Sequence, residues 1–208
     1  MKICAITMTR GDRPMLLGNC INQMKAQTLQ LDKHYIIDYK PIDNECDLIP
    51  RFKKGIEMAK ADGMDFIYVI EDDDYYPNDY IEKTFKSDYD VIGCSKTIYY
   101  HVGVKGIKEM IHRGRSGLFT TAFKVDALDD YPYPNDNEPY LDIYLWRWVV
   151  LNKKHYLYDE NIAVGIKHGI GKQGGNGHNA IRMKYIKDEN YFINQIPFYN
   201  ALTTTTIL

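Results

Sequence analysis

The feature that most constrains the fold of this chain is a short apolar run that ends in four acids. Residues 66–70 read Phe-Ile-Tyr-Val-Ile, and Glu71, Asp72, Asp73 and Asp74 follow directly. A continuous apolar run of this length is typical of a strand that is covered on both faces of a sheet. Adjacent carboxylates repel one another, so the run also indicates a place where positive charge is needed.

Strands and helices alternate on the N-terminal side of this run. Residues 3–9 and 34–39 have a β-type pattern, and between them apolar residues recur with a helical period from Leu16 to Met24. A second helix is predicted over residues 47–61. This β-α-β-α-β order predicts the α/β class, with a mostly parallel central sheet and helices on both faces.

The C-terminal side is less regular. Strands are predicted over residues 91–94, 98–104 and 155–167, and a helix over residues 138–151. The chain has no internal repeat, low-complexity tract or linker, and its 208 residues fit a single domain.

Composition narrows the class of protein. Hydrophobic residues make up 45% of the chain and the net charge is −2, so the composition is globular and gives no overall electrostatic argument for nucleic-acid binding. No apolar run is long enough to span a bilayer, and the N-terminus lacks a signal-peptide pattern, so we expect a cytoplasmic protein. The cysteines are isolated, which indicates buried thiols rather than disulfides or a zinc site.

The four acids allow two interpretations. Carboxylate oxygens are the hard ligands that Mg²⁺ and Mn²⁺ prefer, and ligands of open α/β sheets bind at the carboxyl ends of strands. The alternative is a solvated acidic turn in which Asp74 caps a helix that begins near Pro77. The buried strand before the acids, and the aromatic pair after them, favour the metal site.

Three segments resemble the large inverting GT-A glycosyltransferase family, of the family 2 type. Residues 67–81, which hold the four acids, resemble its DxD segment, and residues 7–14 resemble its first-strand loop, which cups the nucleotide. Residues 138–147 resemble its catalytic helix, although Leu141 stands where the family usually has glutamate. The resemblance covers about residues 2–177 and implies a GT-A fold. Small stand-alone proteins of this type also occur in phage genomes.

The resemblance implies a set of site residues. Asp73 is the expected metal ligand, helped by Glu71 or Asp74 and by His168 after a later strand. Asp142 is implied as the base that takes the acceptor proton, although a carboxylate in a first helical turn also suits the helix dipole. The donor-binding candidates are Thr9, Arg10, Arg13, Asp38, Asp72 and Lys172.

These features together predict a hexosyltransferase that uses Mn²⁺ or Mg²⁺ to move a sugar from a nucleotide-sugar donor, with a UDP-sugar as the first choice. The donor half is expected at about residues 1–95, the acceptor half at about 96–180 and a tail at about 181–208. Lys172 lies in a glycine-rich stretch that is either a lid over the diphosphate or an uncommitted loop.

Two other functions share these features. A sugar nucleotidyltransferase has a similar strand order, but residues 10–13 are poor in glycine for its signature. A non-catalytic GT-A-like module that binds sugar or nucleic acid is the second alternative. The acceptor stays open among a glycan, a small molecule and a modified DNA base, and basic residues between Lys105 and Lys124 would suit the last of these.

Overall fold

The structure is a computed structural model of the chain, and it describes residues 1–11, 13–39, 46–168, 184–188 and 199. Ten strands are present in the described part. They are β1 (Ile3–Met8), β2 (Lys33–Ile37), β3 (Phe66–Val69), β4 (Val91–Cys94), β5 (Lys96–His101), β6 (Gly106–Ile111), β7 (Ala122–Lys124), β8 (His155–Tyr158), β9 (Val164–Lys167) and β10 (Ile186–Lys187). The helices are α1 (Pro14–Lys25), α2 (Leu48–Ala61), α3 (Tyr80–Thr84) and α4 (Leu141–Asn152).

The central sheet has six strands in the order β2-β1-β3-β7-β4-β8. Strand β1 pairs in parallel with β2 and with β3, and β4 pairs in parallel with β8. The short strand β7 runs antiparallel between β3 and β4. The prediction of a mostly parallel α/β sheet is therefore confirmed, with one antiparallel strand inserted near its middle.

Alternate residues of the central strands point to opposite faces, and each face is covered by helices. Cys4 and Ile6 of β1 pack in a cluster with apolar residues of α2 and α4. Ile3 and Ala5 of the same strand pack in a second cluster with residues of α1 and α3. This two-residue period places helices on both faces, as predicted. At Gly93 of β4 an added Cβ would lie 2.3 Å from the Trp146 ring, so only glycine lets α4 approach this closely.

A second sheet of four strands, in the order β10-β6-β5-β9, was not predicted. The expected strand over residues 98–104 ends at His101, because a 3₁₀ turn and the left-handed backbone of Lys105 (φ 47°) turn the chain back into β6. The expected strand over residues 155–167 is two strands in different sheets, β8 and β9, separated by the polar residues 159–161.

Two predicted helix boundaries shift. The helix after the acids begins at Tyr80 rather than near Pro77, so Asp74 does not cap it. Helix α4 begins at Leu141 rather than at residue 138, and Asp142 lies in its first turn as predicted. All four cysteines are free thiols; Cys4, Cys20 and Cys94 are buried, as expected, and Cys46 is partly exposed.

Candidate active site

The acids follow β3 at the carboxyl edge of the central sheet. Asp72 and Asp74 are buried, at 1% and 0% exposure. Their turn is tied to the second sheet, because the backbone N–H of Tyr75 donates to the Val164 carbonyl (2.9 Å) and the N–H of Val164 donates back to the Tyr75 carbonyl (3.0 Å). This pairing brings the end of β9 against the acids, although the two segments are about ninety residues apart in sequence.

Three of the acids form an acidic cluster, which consists of Glu71, Asp73 and Asp74. Each offers one carboxylate oxygen, and these oxygens lie within 4.8 Å of one another. Burial, together with the charge of Asp73, raises the pKa of Glu71 to about 7. Burial and the same neighbouring charge raise the pKa of Asp74 well above its usual range. The cluster therefore resists carrying three negative charges without a balancing cation.

The bonding of Asp74 shows that one buried oxygen lacks a partner. Its Oδ1 accepts a hydrogen bond from the backbone N–H of Ile166 (2.7 Å). Its Oδ2 is buried and has no hydrogen-bond partner among the described residues. An unsatisfied buried carboxylate oxygen is costly, and a hard divalent cation is the ligand that its chemistry fits.

Arg13 and His168 both contact Asp73. The Arg13 guanidinium donates from Nη1 to Asp73 Oδ2 and from Nη2 to Asp72 Oδ1, each at 2.6 Å. The His168 Nε2 lies 2.9 Å from the same Asp73 oxygen. Burial acts to raise the pKa of Asp73, but Arg13 and His168 outweigh it and hold that pKa well below its usual range. Asp73 is therefore the acid of the cluster that stays ionised.

Lys167 is a site residue that the sequence prediction missed. Its ammonium lies 4.9 Å from the centre of the Tyr99 ring. Burial acts to lower the pKa of Lys167, but the acidic cluster outweighs it and holds that pKa above its ordinary value. Lys167 therefore adds a second fixed positive charge beside that of Arg13. Its position directly before His168 at the end of a strand was the signal in the sequence.

Two glutamines, which the sequence prediction also missed, hold the segment after the acids. Gln23 of α1 accepts at Oε1 from the Tyr76 N–H (2.6 Å). Gln27, just after the end of α1, donates to the Pro77 carbonyl (2.8 Å) and accepts from the Ile81 N–H (3.0 Å). Gln27 also donates to the Gln23 carbonyl (3.2 Å), so the two amides are linked and together satisfy backbone groups of this segment.

Tyr199 and Tyr76 hold the turn of the acids itself. The Tyr199 hydroxyl donates to the Asp74 carbonyl (2.8 Å). The Tyr76 hydroxyl accepts from the Glu71 N–H (3.0 Å) and donates to the Phe119 carbonyl (3.1 Å). Backbone groups that the turn leaves unpaired are thus satisfied by buried phenols.

Asp142, the expected base, lies in the first turn of α4. Its charge also acts to raise the pKa of Glu71, after the larger effects of burial and of Asp73. Arg115 donates from Nη1 to Asp142 Oδ2 (2.7 Å). Burial raises the pKa of Asp142 above its usual range, against the opposing effects of Arg115 and of the backbone N–H groups of Asp142 and Ile143. The carboxylate is thereby held at the N-terminus of α4.

The donor-binding candidates near β1 and β2 occupy one edge of the sheet. Thr9 is buried and its Oγ1 accepts from the Gly11 N–H (3.3 Å), whereas Asp38 is exposed just after β2. Arg10 is paired with Asp47 (2.7 Å) rather than with the acidic cluster. Lys172 and the glycine-rich stretch lie outside the described residues.

Arg51 of α2 supports this edge, although sequence reasoning did not single it out. Its side chain is 1% exposed and donates to the carbonyls of Thr9 (2.7 Å), Ile37 (2.9 Å) and Tyr39 (2.7 Å). It also donates to Asp47 Oδ2 (2.8 Å). The buried guanidinium thus joins the ends of β1 and β2 to the start of α2.

Two of the basic residues that suggested a DNA acceptor lie on strands of different sheets. Lys108 lies on β6 in the second sheet, and Lys124 lies on β7 in the central sheet. Lys124 is paired with Asp90 (3.0 Å), and Arg115 is paired with Asp142.

The architecture and this edge of acids define the class: the chain has the GT-A-type fold of glycosyltransferases. Among solved structures it is similar to TarS from S. aureus in complex with UDP-GlcNAc, with a TM-score of 0.60 and 12% identity over 85% of this chain. It is also similar to a glycosyltransferase involved in the glycosylation of the major capsid of PBCV-1, with a TM-score of 0.51 and 12% identity.

The two similarities differ in how much of the solved chain is matched. The match with TarS includes 61% of the solved TarS chain. The match with the PBCV-1 enzyme includes 79% of this chain and 93% of the solved enzyme. The sequence matches no protein-family profile, and it matches no curated protein. In the described part of the chain, none of the helices has both the length and the hydropathy needed to cross a membrane.

Proposed function

We propose that this chain is a metal-dependent glycosyltransferase that moves a sugar from a nucleotide-diphosphate sugar, with a UDP-sugar as donor, to an acceptor hydroxyl with inversion. The observation that carries the proposal is the acidic cluster at the end of β3, whose three ligand oxygens lie within 4.8 Å of one another and whose Glu71 is within electrostatic reach of Asp142. The likeness in fold to TarS, solved with UDP-GlcNAc, supports the choice of donor.

The residues at the cluster fit a divalent cation. Glu71, Asp73 and Asp74 would hold Mn²⁺ or Mg²⁺, and the unpartnered Oδ2 of Asp74 supports that assignment. His168 is 2.9 Å from Asp73 and is the nearby nitrogen candidate. A cation bound there would supply positive charge to the leaving diphosphate.

Asp142 acts as the base in this proposal. Arg115 and the N-terminal amides of α4 orient the carboxylate of Asp142, and Arg115 is bonded to its Oδ2. The oriented carboxylate takes the proton of the acceptor hydroxyl. Burial makes it a stronger base than an exposed aspartate, because its pKa is raised. Direct attack by the deprotonated hydroxyl on the anomeric carbon breaks the bond to the diphosphate and inverts the configuration.

The remaining site residues bind the donor. Arg13 and Lys167 supply fixed positive charge beside the acids, where a diphosphate would lie. Thr9, Arg10 and Asp38 are proposed to contact the nucleoside at the edge of β1 and β2. Asp72 is proposed to bind the ribose, and Lys172 to bind the diphosphate.

The test combines ligand binding with turnover. Mn²⁺ or Mg²⁺ with UDP should raise the melting temperature by mass action, and Asp73→Asn should abolish that shift. The matched control is Asp136→Asn, since Asp136 is an exposed acid paired with Lys53 far from the cluster in sequence. An unchanged melting curve with UDP, with GDP and with either metal would contradict the donor site.

Turnover separates the proposed activity from its rivals. Metal-dependent release of UDP from a UDP-sugar indicates a transferase, whereas release of pyrophosphate from a nucleoside triphosphate and sugar phosphate indicates a nucleotidyltransferase. UDP binding without either reaction indicates a non-catalytic module. An acceptor panel of glycans, small hydroxylated molecules and hydroxymethylated DNA then assigns the acceptor class.

A further inference from the structure

Arg13 is bonded to Asp73, one of the acids of the proposed metal site. Its Nη1 donates to Asp73 Oδ2 and its Nη2 to Asp72 Oδ1, both at 2.6 Å. The two carboxylates are nearly buried, with side-chain exposures of 1% for Asp72 and 9% for Asp73. Charge-assisted hydrogen bonds between a guanidinium and carboxylates are among the strongest in proteins, so Arg13 balances part of the negative charge of the acids when no metal ion is bound.

A divalent cation and the guanidinium compete for this position. The Oδ2 of Asp73 already has two neighbours, Arg13 at 2.6 Å and His168 at 2.9 Å. A divalent cation bound to Asp73 would bring two positive charges close to the guanidinium. The two cations would repel each other strongly, because the site is buried and screening there is weak. Asp73 can therefore bind a divalent cation well only when its bond to Arg13 lengthens or breaks.

A diphosphate is the partner that the displaced guanidinium would take. Arginine binds phosphate oxygens through the same bidentate fork that it uses for carboxylates. Arg13 directly precedes α1 on the loop after β1, and β1 is the parallel neighbour of β3, so the residue lies at the edge where the acids end. Lys167 is fixed beside the cluster and remains as positive charge when Arg13 leaves.

We propose that Arg13 is an exchanging counter-ion: Asp73 gives up Arg13 for a divalent cation, and the freed guanidinium binds the diphosphate of the donor. This inference rests on the proposed function and adds regulation of the same site. Metal alone must separate the guanidinium from Asp73 and Asp72, and it does not replace those two bonds. Metal with a nucleoside diphosphate replaces them with bonds to phosphate oxygens, so the two ligands bind with positive coupling.

The test measures Mn²⁺ binding by calorimetry, without and with UDP, so no turnover is required. In the wild-type chain, UDP should tighten Mn²⁺ binding by about 5–150-fold, the range typical of coupled sites. Arg13→Met should bind Mn²⁺ alone more tightly, by about tenfold, because nothing competes for Asp73. In the same variant UDP should tighten Mn²⁺ binding much less than in the wild type.

The control is Lys53→Met. It also removes a positive charge, but Lys53 is a partly exposed residue of α2 that pairs with Asp136 (2.8 Å) and has no part in the proposed site. Its Mn²⁺ affinity without UDP should equal that of the wild type. Circular dichroism verifies folding, and Arg13→Lys is the second variant if Arg13→Met does not fold. A single ammonium cannot bridge both acids, so Arg13→Lys should also bind Mn²⁺ alone more tightly than the wild type.

Two results would overturn the inference, and they differ from each other. If the wild type binds Mn²⁺ and UDP, but the Arg13 variants have unchanged Mn²⁺ affinity and unchanged coupling, then Arg13 is a structural counter-ion only and the proposed function stands. If the wild type binds neither ligand, the proposed donor site fails and the exchange fails with it.

Discussion

Replacing Arg51 by methionine should loosen the ends of β1 and β2, to which Arg51 is bonded, and destabilise the fold. Arg51 is 1% exposed and makes four hydrogen bonds of 2.7–2.9 Å, three to backbone carbonyls and one to Asp47. Methionine fills a similar volume but donates to none of these acceptors. The carbonyls of Thr9 and Tyr39 would then be left without this donor, and Asp47 would keep Arg10 as its remaining arginine partner.

The size of the loss follows from the burial of this ion pair. Hydrogen bonds to charged groups are worth about 1.5–3 kcal/mol each, but they are not additive when they share one guanidinium. Removing one partner of a buried pair costs about 3–5 kcal/mol, and we expect the free energy of unfolding to fall by that amount. In a domain of this size the melting temperature should fall by roughly 6–20 °C.

The assay is urea and thermal unfolding followed by circular dichroism, with UDP binding measured in parallel. The control is Lys53→Met on the same helix, because Lys53 forms an exposed pair with Asp136 whose loss should cost less than about 1 kcal/mol. Arg51→Lys keeps the charge but not the fork and should lie between the two. A loss below about 1 kcal/mol for Arg51→Met would refute the view that this guanidinium holds β1, β2 and α2 together.

Four further outcomes are expected. Asp142→Asn should lower turnover by roughly 10²–10⁴-fold with UDP and metal binding unchanged, measured by steady-state kinetics and calorimetry; loss of UDP binding would instead assign Asp142 to the donor site. Arg115→Met removes an interaction that lowers the pKa of Asp142, so the acid limb of the pH–rate profile should move to higher pH. Gly93→Ala puts a Cβ 2.3 Å from Trp146 and should destabilise the fold by about 1–3 kcal/mol in urea unfolding, and a neutral result would mean that α4 packs less closely. Without metal, the free energy of unfolding should fall as the pH rises from about 4.5 towards about 7, because the folded chain keeps a proton on Glu71 that the unfolded chain releases near the ordinary pKa of 4.5. Glu71→Gln should remove this part of the pH dependence in melting curves measured across the same pH range.

The central sheet was predictable because its strands carry strong local signals. The apolar runs of β1 and β3 indicate which residues must be buried, and the helical periods between the strands predict the parallel order. The second sheet was not predictable in the same way. Its strand β10 has two residues, which is too short for a period, and its strand β6 alternates only weakly. Strand β7 of the central sheet, with three residues, is too short for the same reason.

The candidate site divides in the same manner. Four adjacent acids are a strong signal in the sequence, and Asp142 was proposed because residues 138–147 resemble the catalytic helix of the GT-A family. Gln23 was missed because its partner lies 53 residues away, and a glutamine on a helix surface has no distinctive local pattern. Lys167 was missed because its role depends on β9 pairing with the turn of the acids, a contact that only the tertiary fold creates.

The position of β7 has a consequence for how the chain can be cut or recombined. Among the described strands, β7 alone joins β3 to β4, and it follows both of them in the sequence by more than twenty-five residues. A fragment that stops before β7 would expose the hydrogen-bonding edge of β3, whose residues are all buried in the intact fold. An exposed edge of this kind pairs with other strands and aggregates, so a fragment or chimaera that keeps β3 and β4 must also keep β7.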